Sequence, residues 1–354
     1  MLAPAESYAT PWVCFSHATD GLDAASARIH GWLLAAPGRL PLEWRTQQVL
    51  DLSREEASSY LLERLDALVS MYALDFLKWD HNRDLAEAVH APTGQAGVHA
   101  QTLALYALLD ALRQRHPRLE IESCAGGGGR IDLGILERTD RVWASDTNDA
   151  LERQQIQRWT GLLVPPEMIG SHVGGPVSHT TGRVVGLRLR TITSLFAHMG
   201  FEWDLTTCTP AERAELAAWV RLHKELRPLL HSGTVVRGDL EDPGALLHGV
   251  VRPDLSSGVY AYVRLATAPA ASPGRVLLPG LDGDRAYDVR LRGAGHTGPH
   301  HLDGRPGWWI GADGSHDGVL AGVPGAVLDA VGIQLPTLHP GEATLVHVTA
   351  AVRE

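Results

Sequence analysis

The sequence predicts an α/β chain, with a portion of (β/α)8 TIM-type barrel followed by a C-terminal antiparallel β-sandwich. Three observations predict it. Between Ser53 and Leu230 short strand-like runs alternate with helical periods, the rhythm of a parallel sheet. Polar and glycine-rich residues stand directly after those strands, where such a barrel builds its active site. After Gly233 glycine and proline become frequent and short alternating runs replace helices, as in a small sandwich. The chain therefore divides into an atypical segment over 1–40, a barrel portion over 41–231 and a β-domain over 232–354.

Residues 1–45 hold only short apolar runs among Pro, Gly and small residues. Ser53 and Glu56 then have capping-box spacing. Ala57, Leu61, Leu65 and Leu68 follow at helical period, predicting a helix that ends near Met71. Leu74 to Trp79 reads as a strand. A second helix runs from about Val98 to Arg115, stopped by Pro117. Leu119 to Ser123 is again strand-like and leads into Gly126–Gly129. Arg141 to Ser145 is a third strand and Ala150 to Thr160 a helix. The alternation continues through Ile169 to Val173 and Leu195 to Trp203. Thr209, Pro210 and Glu212 open a strong helix to about Leu230. Beyond it, Val259 to Leu265, Arg275 to Leu278, Tyr287 to Leu291 and Ala343 to Val348 alternate as strands do, and no helix is expected.

The formal net charge of -10, with no Lys/Arg cluster, argues against a nucleic-acid partner. Three cysteines, Cys14, Cys124 and Cys208, are odd in number and far apart, which suits a reducing compartment rather than a disulfide framework. Neither a signal peptide nor a membrane span is expected. Ten Trp against four Phe is unusual; indole faces stack on sugar rings, but Trp is equally ordinary core.

Three segments after strands carry the chemistry: Lys78 to Arg83, Glu122 to Arg130 and Trp143 to Asp149. Two carboxylates at the mouth of a barrel suggest glycoside hydrolysis, one attacking the anomeric carbon and the other delivering a proton. Lys78 and Asp80 lie two apart on a strand and share a face, and a nearby ammonium favours an ionised, nucleophilic carboxylate. Asp146 is then the acid. The glycine run lets backbone approach a ligand closely. The plainer readings stand beside these. An Asp after a strand is often a helix cap, and Asp149, with Glu152 three residues on, fits that role. The glycine run lacks the Lys-Ser/Thr ending of a phosphate loop. His296, His300 and His301 lie in a Gly/Pro-rich stretch without Cys or acidic partners, a solvated loop rather than a metal site. His172 and His179 read as polar residues of the barrel mouth.

Taken in order, the segments KWDHNR at 78–83, CAGGGGR at 124–130 and WASD at 143–146 resemble the blocks of glycoside hydrolase family 36, the large α-galactosidases. VLDLSREE at 49–56 and LVPPEMIGSHVGGPVSHTTGR at 163–183 are similar to that family too. His81 stands where the family has Met, and Thr147-Asn148 reverses its usual order. The Asp-Asp-Gly-Trp motif of an earlier barrel strand is absent, as is the family's large N-terminal β-sandwich domain.

The resemblance implies Asp80 as nucleophile and Asp146 as acid/base, in a double displacement that retains configuration. It implies that Arg45, Lys78, Trp79, Asn82, Cys124, Gly126 and Trp143 bind or enclose the galactose of substrates such as melibiose and raffinose, with no metal or cofactor. It further implies a cytoplasmic homo-oligomer. With three barrel strands missing, the barrel is expected to be incomplete, with open edges, and the isolated chain to have weak activity or none. The alternatives are a non-catalytic remnant that at most binds sugar, and a related α-glycosidase or galactosyl transferase.

Overall fold

The computed structural model describes residues 47–83, 85, 89–90, 95–268, 274–293, 308 and 318–351. They fall into two compact units, one of residues up to 73 with 82–117, the other of residues 74–81 with those from 118 onward.

The first unit is built on two 18-residue helices, α1 (Glu55–Tyr72) and α2 (Val98–Arg115). The expected capping box at Ser53 does not form. Ser53 turns back on Asp51, its amide at 3.1 Å and its hydroxyl at 2.5 Å from Oδ1, so the cap falls to Arg54, which makes no side-chain cap bond. A local Asx turn has outcompeted the helix for the hydroxyl. Leu105, Leu108, Leu109 and Leu112 are the buried stripe of α2, at the spacing one helical face requires. Asp66 of α1 joins the helices through Arg115 and His116, each at 2.7 Å, and these two partners hold its carboxyl below the ordinary range.

The second unit begins with a five-stranded parallel sheet in chain order: β1 (Phe76–Asp80), β2 (Glu120–Cys124), β3 (Arg141–Trp143), β4 (Ile169–Gly174) and β5 (His198–Glu202). This is the barrel portion that the alternation predicted, incomplete among the described residues. In-register partners share a face. One face therefore carries Phe76, Lys78 and Asp80, then Glu120, Glu122 and Cys124, then Arg141 and Trp143, then Gly170, His172 and Gly174, then His198, Gly200 and Glu202. The other face contributes Val142, Ile169 and Val173 to apolar cores. Three helices accompany the sheet: α3 (Ala150–Thr160), α4 (Leu187–Leu195) and α5 (Pro210–Leu230). The Thr209–Glu212 capping box predicted for α5 is present. Asp149 caps α3 through the Leu151 amide at 2.9 Å, while Glu152 turns instead to Arg183.

The C-terminal part is a six-stranded antiparallel sheet of β6 (Thr234–Gly238), β7 (Ala245–Val251), β8 (Ser257–Arg264), β10 (Ala286–Arg292), β11 (Val319–Pro324) and β13 (Glu342–Ala350), ordered β11-β10-β13-β8-β7-β6. A two-stranded ribbon, β9 (Arg275–Val276) with β12 (Ile333–Gln334), and a short helix, α6 (Gly325–Ala330), lie beside it. Every residue of β8 is buried. Val259, Ala261 and Val263 face a core with Leu189, Ile192 and Trp219 of the barrel helices. Tyr260 and Tyr262 face a second core with Val276, Leu328 and Ile333. Together the layers resemble a sandwich.

The expectation of no helix here is corrected by α6. The short apolar run Ala326–Leu328 is helical because Leu328 plugs the second core, and Gly325 admits the turn because a Cβ there would meet Asp282 O at 2.0 Å. Among the described residues no helix is long and apolar enough to cross a membrane.

Candidate active site

The carboxyl ends of β1 and β2 lie level, with Asp80 opposite Cys124. After Cys124 the chain folds into a tight turn, Ala125 N to Gly127 O at 2.9 Å and Gly129 N to Ala125 O at 3.2 Å. Gly126 and Gly127 have φ of 57° and 78°, values that favour glycine. A Cβ on Gly127 would lie 2.8 Å from Ser145 Cα and 2.9 Å from Asp146 N. The backbone that the glycine run admits is thus the protein's own. The turn seats the segment that carries Asp146.

That segment is clamped from its other side. Arg153 of α3 donates from Nε to Thr147 O and from one terminal nitrogen to Ser145 O, both at 2.8 Å, and from the other to Gly170 O at 3.2 Å. Its guanidinium is buried, which pulls its pKa down to about 10. Held in this way, Asp146 Oδ1 lies 3.9 Å from Cys124 Sγ, a long contact for a weak donor. Cys124 also hydrogen-bonds Asp80. Burial first, and the bond to Asp80 second, push the thiol up to about 11, so it stays protonated. One buried thiol touches both carboxylates.

Beneath them Glu122, only 2 % exposed, lies between two cations, Lys78 Nζ at 3.3 Å and Arg141 Nε at 3.4 Å. Trp143 is buried, with Lys78 Nζ and Arg153 Cζ each 4.3 Å from the indole, distances that give cation–π attraction. Gly170 is bare because a Cβ there would meet Trp143 and Glu122, both at 2.9 Å. His172 lies tilted against Trp143, ring centroids 4.5 Å apart, and faces Glu202 at 3.6 Å. The imidazole, foremost, holds the Glu202 carboxyl below its ordinary range, and Asn148 donates to that carboxylate at 3.2 Å.

Lys78, Asp80, Cys124, Gly126, Trp143 and Asp146 thus gather at the carboxyl ends of β1–β3. Trp79 alternates to the opposite face of β1, in register with Ser123. Asn82 belongs to the first unit. Arg45, His296, His300 and His301 lie outside the described residues, as does the whole 1–40 segment. Sequence reasoning missed Arg153 and Glu202, and it placed Glu122 in a chemistry-bearing segment without giving it a role. A role for Glu122 was within reach, because it stands two residues before Cys124 and so shares its face.

A five-stranded parallel half-barrel with carboxylates, a lysine and a thiol at its strand ends is the active-site side of a (β/α)8 barrel. The melibiase family model matches residues 27–233. The α-galactosidase of Escherichia coli is 39% identical over 338 residues, covering 93% of this chain and 46% of that protein. Alpha-galactosidase AgaA of Geobacillus stearothermophilus is 33% identical over 264 residues, covering 73% and 36%. Among solved structures, AgaA in complex with raffinose aligns with a TM-score of 0.75 at 30% identity, over 89% of this chain and 41% of that one. The α-galactosidase of Lactobacillus brevis gives 0.76 at 29% identity, over 90% and 41%. The chain belongs to the melibiase family, and it spans less than half the length of these relatives.

Proposed function

We propose that this chain carries the catalytic carboxylates of a retaining α-galactosidase. The observation that supports the proposal is the single thiol, Cys124, with Asp80 and Asp146 both as neighbours. Asp80, on the strand face it shares with Lys78, attacks the anomeric carbon. Asp146, on the clamped loop, protonates the departing glycosidic oxygen. The galactosyl ester on Asp80 is then cleaved by water, whose proton returns to Asp146, and the sugar leaves with its original configuration. Lys78 and Cys124 bind sugar hydroxyls, Gly126 shapes the turn and Trp143 forms the floor. Melibiose and raffinose are the expected substrate type. The free thiols Cys124 and Cys208 suit a reducing cytoplasm.

The test is release of p-nitrophenol from p-nitrophenyl α-galactoside. Asp80→Asn should lower turnover by about 10³-fold or more. Adding azide should then assign the roles. With Asp146→Gly it should yield the α-galactosyl azide, because the ester still forms. With Asp80→Gly it should yield the β-azide, by direct attack opposite the leaving group. Unchanged turnover in Asp80→Asn sinks the proposal.

A second reading, sugar binding without turnover, is favoured by the edges of the parallel sheet. Among the described residues it stops at five strands, and the edge strands β1 and β5 expose Phe76 (43 %) and Phe201 (38 %). Calorimetric binding of galactose with no p-nitrophenol release is its signature.

A further inference from the structure

Twenty-nine of the thirty-one basic side chains are arginines; the two lysines are Lys78 and Lys224. The site therefore uses an ammonium in a chain that otherwise uses guanidinium almost throughout. Lys78 Nζ sits 3.3 Å from Glu122 Oε1 and 4.3 Å from the Trp143 ring. A compact point charge fits between a carboxylate and an indole face, whereas a planar fork would seek two aligned oxygens.

Besides Lys78, Glu122 pairs only loosely with Arg141, whose Nε lies 3.4 Å from Oε2. It is almost fully buried, and Oε1 makes no aligned hydrogen bond, so the Lys78 contact is an ion pair alone. Arg141 does not need Glu122, because it holds Glu120 through two bonds at 2.8 Å. Gly170 has no side chain in the space that Glu122 Oε2 and Trp143 occupy. The register also sets Glu122 level with Lys78, one inward-facing row below Asp80 and Cys124.

We infer that Glu122 is a positioning residue, which acts through Lys78 by holding its ammonium over Trp143 and below the two carboxylates. This inference rests on the reading of Asp80 and Asp146 as the reacting pair. Glu122 touches no substrate; its effect passes through the lysine.

The presence of only two lysines makes the test direct. Acetylation of the native chain, read by mass spectrometry, compares Lys78 with the exposed Lys224 as internal reference. In Glu122→Gln, Lys78 should react several-fold faster relative to Lys224, because the carboxylate that holds its ammonium at 3.3 Å is gone. Glu122→Asp, which keeps the charge but withdraws it by one methylene, should lie between. In turnover, Glu122→Gln should raise KM about tenfold with a smaller change in kcat, since a misplaced Lys78 weakens binding of the sugar. An unchanged Lys78:Lys224 ratio in both folded variants overturns the inference, as does an unchanged KM. If the parent chain shows no turnover, the galactosidase reading fails first, and the labelling ratio still decides whether Glu122 holds Lys78. If Glu122→Gln does not fold, Glu122→Asp and the parent decide: equal ratios in the two overturn the inference.

Discussion

The two sheets of the second unit are built on opposite terms. The inward face of the parallel sheet is crowded with Lys78, Asp80, Glu120, Glu122, Arg141, His172 and Glu202. Parallel strands are ordinarily apolar on both faces. The antiparallel sheet has aliphatic side chains on one side of β8 and tyrosines on the other, all buried. The contrast separates labour: the C-terminal sheet holds the unit together, and the parallel sheet spends its interior on charge.

The largest effect should come from the apolar side. Trp219 is fully buried where α5 meets the antiparallel sheet. Trp219→Ala should cost about 3–5 kcal/mol, read as a lower urea midpoint. A much smaller loss would mean that the C-terminal core does not carry the unit.

The polar face should respond in the other direction. The double variant Lys78→Met/Glu122→Leu replaces an ion pair by apolar groups of similar volume. Such exchanges are commonly neutral or stabilising, by about 1–3 kcal/mol. Urea midpoints should hold or rise while turnover disappears. A clear loss of stability would show that the charges are structural.

The smallest effect is a pH dependence. His223 is buried and its Nε2 has no hydrogen-bond partner. Burial first, then His231, Arg227 and His198, pull it down to about 4. Because its folded pKa lies below the unfolded value near 6.5, its stabilising contribution is full above that value and fades as pH falls toward 4. The urea midpoint should therefore decline between pH 6.5 and 4, by on the order of 1 kcal/mol at pH 5. His223→Leu should flatten that slope; an unaltered slope assigns it to other groups.

Much of the fold was legible because its signals are local. Val98–Arg115, Ala150–Thr160 and Pro210–Leu230 were readable from caps, prolines and apolar period. The gathering of Lys78, Asp80, Cys124 and Asp146 was legible from strand-end placement and from the family resemblance. What escaped depends on distant contacts. Strands β6, β7 and β11 are specified by their neighbours more than by their own pattern; Leu246, His248 and Gly249 give β7 no clean alternation. Ser53 showed a capping box that Asp51 pre-empted. Arg153 looked like an ordinary helix residue, and only the fold discloses that its fork grips the loop bearing Asp146.

The strand order of the antiparallel sheet bears on how the protein is made. β13 is synthesised after the other five, yet it lies between β8 and β10, and Arg188 of α4 donates to its Ala343 carbonyl at 2.9 Å. While the ribosome is still adding residues before Glu342, the centre of that sheet is a gap. The facing edges of β8 and β10 stay unpaired until the final pairing, over a long sequence separation, closes it.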